Sequence, residues 1–227
     1  MLREPSVSVV MPVKNGEPFL AQAIESVLAQ TRPAHEIVVV DGASSDRSAE
    51  IARSFPLVRC LAQAGTGFAG AWNEGVQAAR GDLLAFIDSD DLWSAEKLEK
   101  EVALLERRPE VDYVISRVRF FLEPGHDCPP GFKPELLEGD HVANMPSALM
   151  LRRAAFEAVG PFRTDLRIAS DIDWFARAKD VPLTLGTVAD VLVHKRVHSS
   201  NLSYTAAETM NGELLDLLRH SVARRRG

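Results

Sequence analysis

The 227-residue chain has only two cysteines, Cys60 and Cys128, too few for a disulfide scaffold or a cysteine-rich zinc site. It lacks an uninterrupted apolar run of the ~18 residues that a membrane-spanning helix needs, and its first residues lack the pattern of a signal peptide. It also lacks a basic excess, because 26 Lys and Arg stand against 32 Asp and Glu. We therefore expect a cytoplasmic protein that neither spans a membrane nor binds nucleic acid.

What the chain does have is the composition of a globular domain, with 46% apolar and 26% charged residues. In the first hundred residues, short apolar runs alternate with segments of helical periodicity, which is typical of βαβ units in a mostly parallel sheet. Strands are predicted at residues 7–11, 37–40, 58–61, 83–87 and 187–197, and later helices at 152–159 and 171–179. Residues 122–146, rich in proline and glycine, are predicted to form a functional loop. The predicted fold class is therefore α/β.

Spacing also predicts details of two helices. Asn15 is placed to cap the first helix, and Ser94 is placed to start the helix after residue 94. Ion pairs at helical spacing are expected on the solvent side of that second helix: Glu96 with Lys100, and Lys97 with Glu101.

Acidic and turn-forming residues follow three of the predicted strands, at residues 12–15, 41–42 and 88–91. In an open parallel sheet, ligands bind beyond the carboxyl ends of the strands, so these residues are expected to converge. The three aspartates of residues 88–91 would repel one another in a cleft, and a divalent cation between them would relieve the repulsion. The cluster therefore predicts a Mg²⁺ or Mn²⁺ site with a diphosphate. The alternative is that Asp90 or Asp91 merely caps the helix that follows.

Three other motifs carry alternatives. Residues 65–70 match G-x-G-x-x-G, as a dinucleotide site would, but the strand before them is weak, and a flexible loop is the alternative. Asp171 and Asp173 open a predicted helix, either because one is a general base or because the helix dipole favours acids there. His194 and His198 alternate along a strand, which excludes a helical zinc pair and favours exposed strand histidines.

A recognisable pattern runs through most of the chain. It comprises residues 9–17, 26–31, 36–46, 71–75, 86–91, 160–162, Asp171 and 197–203, in this order and at characteristic separations. With these segments the chain strongly resembles a family 2 glycosyltransferase with the GT-A fold, over about residues 6–203.

The resemblance implies that a nucleotide-diphosphate sugar, expected to be a UDP-sugar, lies across residues 1–110, and that residues 111–205 hold the acceptor and the catalytic base. The donor contacts that it implies are Pro12, Val13, Asn15, Glu17, Asp41, Asn73, Asp88 and Asp91. Asp90 and His198 are implied as ligands of a divalent metal, Mn²⁺ or Mg²⁺, and Asp171 as the catalytic base. The implied reaction inverts the anomeric carbon during transfer to a hydroxyl of a glycan or lipid-linked acceptor, in cell-surface polysaccharide or glycoconjugate synthesis.

Two departures from the family pattern stand out. Relatives have Asp-Asp-Gly-Ser where residues 41–44 are Asp-Gly-Ala-Ser, which removes one nucleotide contact. Relatives have Glu-Asp where this chain has Ser170-Asp171, which removes like-charge help in raising the pKa of Asp171. A degenerate sugar-nucleotide-binding module and a nucleotidyltransferase stay open as alternatives. The second usually needs a glycine-rich triphosphate loop, of which residues 12–16 are a poor version.

Residues 206–227 are predicted to form an amphipathic helix that ends in three arginines. Its apolar stripe and basic end predict a peripheral membrane or partner contact, and the alternative is that the stripe packs on its own domain. Residues 122–146 are further predicted to close over the donor as a mobile lid.

Overall fold

The computed structural model describes residues 4–224. Its strands are β1 (Val7–Val13), β2 (Glu36–Asp41), β3 (Val58–Ala62), β4 (Leu83–Phe86), β5 (Leu92–Trp93), β6 (Tyr113–Leu122), β7 (His141–Val142), β8 (Leu149–Arg152) and β9 (Leu185–Val197). Its α-helices are α1 (Leu20–Leu28), α2 (Ser48–Arg53), α3 (Gly67–Ala78), α4 (Lys97–Arg107), α5 (Arg153–Val159), α6 (Ser170–Ala178), α7 (Leu202–Thr205) and α8 (Ala207–Arg224). The predicted strands and later helices lie within two residues of these bounds.

The strands form one mixed sheet in the order β3-β2-β1-β4-β8-β6-β9-β5, with β7 paired to β6. β1 runs parallel to β2 and β4, β2 runs parallel to β3, and β6 runs parallel to β9. β8 and β5 run antiparallel to their neighbours. The architecture confirms the predicted α/β class with a mostly parallel sheet flanked by helices.

Both faces of the sheet are covered by helices. Every residue of β1 is buried, and successive side chains point to opposite faces. Val9 belongs to a core shared with α1, α2 and α4, whereas Val10 belongs to a core shared with α3, α5 and α6. Because burial on both faces fixes the central strands, their carboxyl ends form a firm edge on which a site can be built.

Asn15 and Ser94 do not cap helices, so both capping predictions are wrong. α1 begins five residues after Asn15, which has a left-handed backbone with a φ of 52°. The side chain of Asn15 accepts a hydrogen bond from the backbone N–H of Ser45. α4 begins three residues after Ser94, whose hydroxyl donates to the carbonyl of Val191. Both side chains bond to distant segments, and local spacing carries no signal for such contacts.

Lys97 and Glu101 lie in the core and not on the solvent side, which corrects the prediction. Both side chains are fully buried, with Lys97 Nζ 2.5 Å from Glu101 Oε1 and 4.9 Å from the centre of the Trp93 ring. Helical spacing fixes which residues adjoin, but it does not fix which face of the helix meets the sheet. The pair Glu96 and Lys100 is at the surface, as predicted.

The segment between β6 and β8 is largely irregular, as its composition predicts. It contains β7 and 3₁₀ turns at Pro134–Leu137 and Pro146–Ala148. Phe132 anchors it, because its buried ring packs against Phe120 and Tyr204. That this segment moves as a lid stays a prediction.

The predicted C-terminal helix is α8. Met210, Leu214 and Leu217 of its apolar stripe are half-buried, which agrees with packing on its own domain, whereas Leu215 is 56% exposed. Of the terminal arginines, the last two (residues 225 and 226) lie outside the described residues. Among the helices of residues 4–224, none combines the length and apolarity needed to cross a membrane. The membrane contact stays a prediction.

Candidate active site

The loops that follow β1 and β2 are tied together at the predicted edge of the sheet. Val13 pairs with Asp41 in the strand register, so the two loops start side by side. Three successive backbone N–H groups of the first loop donate to side chains of the second: Asn15 to Ser44 Oγ (2.9 Å), Gly16 to Ser48 Oγ (2.8 Å) and Glu17 to Asp46 Oδ2 (3.0 Å). Hydrogen bonds from Arg47 to the carboxylate of Glu17 lower the pKa of Glu17. Asn15 and Glu17 therefore stiffen the rim of the site, which the loops after β1 and β2 form. Their contact with the nucleotide-sugar donor stays a prediction.

Asp41 ends β2 with a buried carboxylate. The residue as a whole is 8% exposed. Within residues 4–224, its Oδ1 has no hydrogen-bond partner. Pro12 and Val13 are buried beside it in β1. A buried acceptor without a donor is destabilising, so this oxygen suits an N–H group supplied by a ligand.

The Asp-Gly-Ala-Ser departure removes a charge and also places an alanine where the backbone is left-handed. Ala43 has a φ of 56°, in the left-handed region where relatives have glycine. A Cβ added at Gly42 would lie 3.0 Å from Gln63 Oε1 and 3.4 Å from the carbonyl oxygen of Val13. Gln63 thus occupies the space beside Gly42 into which a longer side chain would extend.

The acidic turn after β4 contains a cation supplied by the chain itself. Lys195 of β9 places Nζ 2.9 Å from Asp88 Oδ2 and 3.1 Å from Asp91 Oδ2. Although burial lowers the pKa of Lys195, the charges of Asp88, Asp91 and Asp90 raise it well above its ordinary value. Part of the charge relief that the sequence assigned to a metal therefore comes from Lys195. Sequence reasoning gave Lys195 no role, because only the pairing of β9 brings it to this turn.

Asp91 is the innermost acid of the turn. It is fully buried, and its oxygens accept hydrogen bonds from Ser147 Oγ (2.7 Å), the backbone N–H of Arg196 (3.2 Å) and Lys195. Burial, with the nearby charges of Asp90 and Asp88, raises the pKa of Asp91 to about 7. These contacts hold the turn in place, and a donor contact of Asp91 stays a prediction.

Asp90 meets His198 at the outer side of the turn. His198 Nε2 and Asn201 Nδ2 each lie 3.0 Å from Asp90 Oδ2, and the ring of Phe19 lies 4.6 Å from the His198 ring. Burial raises the pKa of Asp90, but Lys195 and His198 together lower it by more, so the net shift is downward. Asn201 was missed as a site residue, although it lies within the segment 197–203 that carries the resemblance.

These residues fit a divalent cation. Asp88, Asp90 and Asp91 offer carboxylate oxygens within 4.8 Å of one another, and the imidazole of His198 adjoins Asp90. Asp91 is fully buried, whereas the side chains of Asp88 and Asp90 are each 24% exposed, so these two carboxylates, with the imidazole of His198 beside Asp90, form the candidate ligand set. Oxygen and imidazole ligands suit Mn²⁺, and the carboxylates also suit Mg²⁺.

Asp171 lies in the first turn of α6, where the charge of Asp88 acts on it. It is half-buried, and its Oδ1 accepts a hydrogen bond from the backbone N–H of Ile172 at 2.8 Å. Burial raises the pKa of Asp171 to about 6, and the charge of Asp88 adds to the rise. Burial therefore raises this pKa although Ser170 stands where the family pattern has a glutamate. Such a carboxyl is suited to accept a proton near neutral pH.

Asp173, the other acid of this helix, is engaged elsewhere. Its buried carboxylate lies 2.7 Å from Arg177 Nε and 3.6 Å from Arg163 Nη1. Two guanidinium groups engage this carboxylate, which favours Asp171 as the base.

Asn73 and the glycine-rich segment have structural partners. Asn73 Nδ2 donates to the carbonyl of Phe162, and Asn73 Oδ1 accepts from the backbone N–H of Phe162. The amide of Asn73 thus joins α3 to the segment before α6, and its contact with the nucleotide-sugar donor stays a prediction.

In the glycine-rich segment, Glu74 accepts hydrogen bonds from the backbone N–H groups of Ala64 and Gly65. Because a carboxylate occupies amides that a phosphate would need, the dinucleotide alternative is disfavoured.

The expectation of exposed strand histidines is wrong. His194 is half-buried, with Nε2 3.0 Å from the Oγ of Ser94, the residue that follows the paired strand β5. His198 lies beyond the end of β9 and is 4% exposed. Alternation along β9 could not reveal that the strand is covered near these residues.

Comparison with known proteins places the chain in a family. The sequence model of glycosyl transferase family 2 matches residues 8–160, well over half of the chain. The chain belongs to this family of glycosyltransferases. An uncharacterized glycosyltransferase of Rickettsia typhi is 27% identical over 219 residues, covering 89% of this chain and 67% of the relative. A putative teichuronic acid biosynthesis glycosyltransferase of Bacillus subtilis, TuaG, is 32% identical over 110 residues, covering 46% and 44%.

A solved structure supports the fold. The S. aureus TarS fragment 1–349, crystallised in complex with UDP-GlcNAc, matches with a TM-score of 0.68 at 20% identity. The match covers 86% of this chain and 60% of the TarS fragment. The neighbour confirms the GT-A type of fold for this family 2 member. The chain spans less than two thirds of the length of both TarS and TuaG.

Proposed function

We propose that this protein transfers a sugar from a UDP-sugar to an acceptor hydroxyl, with inversion at the anomeric carbon. One observation carries the proposal. Asp88 relates two groups: the Asp90–His198 pair beside it, suited to a cation, and Asp171, whose pKa its charge helps to raise to about 6. A module that only binds a sugar nucleotide has no need of the second group, because a base contributes to the rate and little to donor binding.

The donor would lie across the carboxyl ends of β1, β2 and β4. Asp41 Oδ1, which is buried and unpaired within the described chain, would accept an N–H from the nucleotide base. Pro12 and Val13 would pack against the nucleoside. The UDP-GlcNAc complex of TarS supports UDP as the nucleotide.

Mn²⁺ or Mg²⁺ is the proposed cofactor, with Asp90 and His198 as its ligands. When bound, the cation supplies positive charge opposite the diphosphate. The ammonium of Lys195 offsets the charge of Asp88 and Asp91, so the phosphates would approach a less negative turn than three aspartates imply.

Asp171 is the proposed general base. Its carboxylate would take the proton of the acceptor hydroxyl while the hydroxyl oxygen bonds to the anomeric carbon. The bond from that carbon to the β-phosphate oxygen breaks, and its electron pair leaves with UDP. Attack opposite to the leaving group inverts the configuration. With a pKa of about 6, Asp171 is largely ionised at neutral pH and can accept the proton.

The acceptor would be a hydroxyl-bearing glycan or a lipid-linked glycan in the synthesis of a cell-surface polysaccharide. The name of TuaG, which refers to teichuronic acid biosynthesis, supports this setting. Residues 111–205 would bind the acceptor between residues 122–146 and Asp171. A peripheral contact of α8 with the membrane would bring a lipid-linked acceptor to a site in the cytoplasm.

Calorimetry of UDP binding tests the donor site. Wild type should bind UDP more tightly with Mn²⁺ than in EDTA, and Asp90→Asn should lose that gain. Asp190→Asn, a surface aspartate paired with Lys100, is the matched control and should bind as wild type does. Unchanged Mn²⁺-dependent affinity in Asp90→Asn would refute the metal assignment. A preference for UTP, with release of pyrophosphate, would favour a nucleotidyltransferase instead.

A further inference from the structure

The C-terminal helix makes a specific contact with the segment that precedes Asp171. The carboxylate of Glu213 in α8 accepts hydrogen bonds from three successive backbone N–H groups: Arg167 (2.6 Å), Ile168 (3.0 Å) and Ala169 (2.8 Å). About 45 residues separate the partners in sequence, so this is a tertiary contact between α8 and residues 111–205, which hold Asp171. Charged acceptors make the stronger class of hydrogen bond.

The contact falls where α6 has no cap of its own. α6 begins at Ser170, and its N-cap residue is Ala169, whose side chain has no polar atom. The N–H groups at a helix start lack partners within the helix, and a carboxylate there both accepts hydrogen bonds and complements the helix dipole. Glu213 thus holds the three residues that lead into α6, the last of which is its N-cap Ala169.

The charge state of Glu213 agrees with this role. Burial raises the pKa of Glu213, but the hydrogen bonds from Ala169, Arg167 and Ile168 together lower it by more, so the net shift is downward. Glu213 is therefore an ionised acceptor at neutral pH.

The opposite end of α6 is held independently. Arg177 donates to the carbonyls of Val159 and Pro161 and pairs with Asp173. These contacts anchor the middle and end of the helix. The start of the helix, which carries Asp171, is anchored by Glu213.

We propose that Glu213 of α8 is a positioning residue that fixes the start of α6 and so sets the place of Asp171 relative to the donor. This inference rests on the proposed role of Asp171 as the base. A displacement of about 1 Å of a catalytic group can cost on the order of a hundredfold in rate. α8 is thereby a structural part of the catalytic site.

The test compares Glu213→Ala and Glu213→Gln with Glu208→Gln, an exposed glutamate of the same helix. Glu213→Ala should lower kcat by on the order of 10- to 100-fold, and UDP affinity should stay within about twofold of wild type. Glu213→Gln keeps one acceptor oxygen and should recover part of the rate. Glu208→Gln should match wild type. Equal losses of kcat and UDP affinity in Glu213→Ala would indicate general unfolding and overturn the proposal, as would an unchanged kcat.

Hydrogen exchange separates this inference from the proposed function. In Glu213→Ala, the amides of Arg167, Ile168 and Ala169 should exchange at least about tenfold faster, while those of β1 stay protected. Unchanged exchange at these three amides overturns the inference whatever the activity. Faster exchange in a protein whose wild type shows no transfer would leave the anchor established and the proposed function wrong.

Discussion

Replacing Lys195 with methionine removes the cation of the acidic turn while keeping most of the side-chain length. Lys195 Nζ lies 2.9 Å from Asp88 and 3.1 Å from Asp91, and Asp91 is fully buried. Removing one partner of a buried ion pair typically costs about 3–5 kcal/mol. The lysine side chain is 19% exposed and Asp91 can take up a proton, so we expect the lower end, about 3 kcal/mol.

The cost should grow with pH. With Lys195 present, burial and the charges of Asp90 and Asp88 raise the pKa of Asp91 to about 7. Removing Lys195 raises the pKa of Asp91 further, because the lysine charge lowers it. A group whose pKa is higher in the folded state stabilises the protein at low pH and loses this contribution as the pH rises through its folded pKa. In the variant, the pKa of Asp91 is higher, so its stability continues to fall at pH values where that of wild type has levelled off. The free energies of unfolding of the variant and wild type therefore differ more at pH 8 than at pH 6.

Thermal unfolding in EDTA at both pH values measures the effect. At about 2–4 °C per kcal/mol for a chain of this size, Lys195→Met should lower Tm by about 6–12 °C at pH 8 and by less at pH 6. Lys100→Met is the control, because Lys100 makes surface ion pairs of the kind worth about 0–1 kcal/mol. A Tm for Lys195→Met at pH 8 within about 2 °C of the control would refute the reasoning.

Three further predictions concern the rim, the metal ligand and the base. Ala43→Gly should stabilise the fold by about 0.5–1 kcal/mol in chemical denaturation, because a left-handed backbone disfavours alanine, whereas Ala176→Gly inside α6 should destabilise it by about 1 kcal/mol. His198→Ala should weaken UDP binding about tenfold or more with Mn²⁺ and leave binding in EDTA unchanged; an equal loss in EDTA would count against a metal ligand. The transfer rate should rise with pH through about 6, as Asp171 loses its proton, and then level off. A rate independent of pH between 5 and 7 would contradict this assignment.

The strands and the edge that carries the site could be predicted because their signals are local. Apolar runs that end in polar residues define β1, β2 and β4, and parallel strands bring their carboxyl ends together. The same logic predicted that Asp88, Asp90 and Asp91 would cluster, and they do.

Residues contributed by distant segments could not be predicted in the same way. Lys195 reaches the acidic turn because β9 runs beside β6 and β5, a pairing that no local periodicity encodes. Glu213 reaches α6 through the docking of α8. Lys97 was misplaced for a related reason, since the face of α4 that meets the core depends on how the helix packs on the sheet.

Release of UDP from UDP-sugars by wild type and by Asp171→Asn, with Mn²⁺ and an acceptor glycan, tests the central claim most directly. The account predicts turnover by wild type and a rate lower by about 10²–10⁴-fold in the variant, because asparagine cannot take the acceptor proton. Calorimetry should find UDP affinity in the variant within about twofold of wild type. Near-normal turnover by Asp171→Asn would contradict the account, because Asp171 would then not be the base.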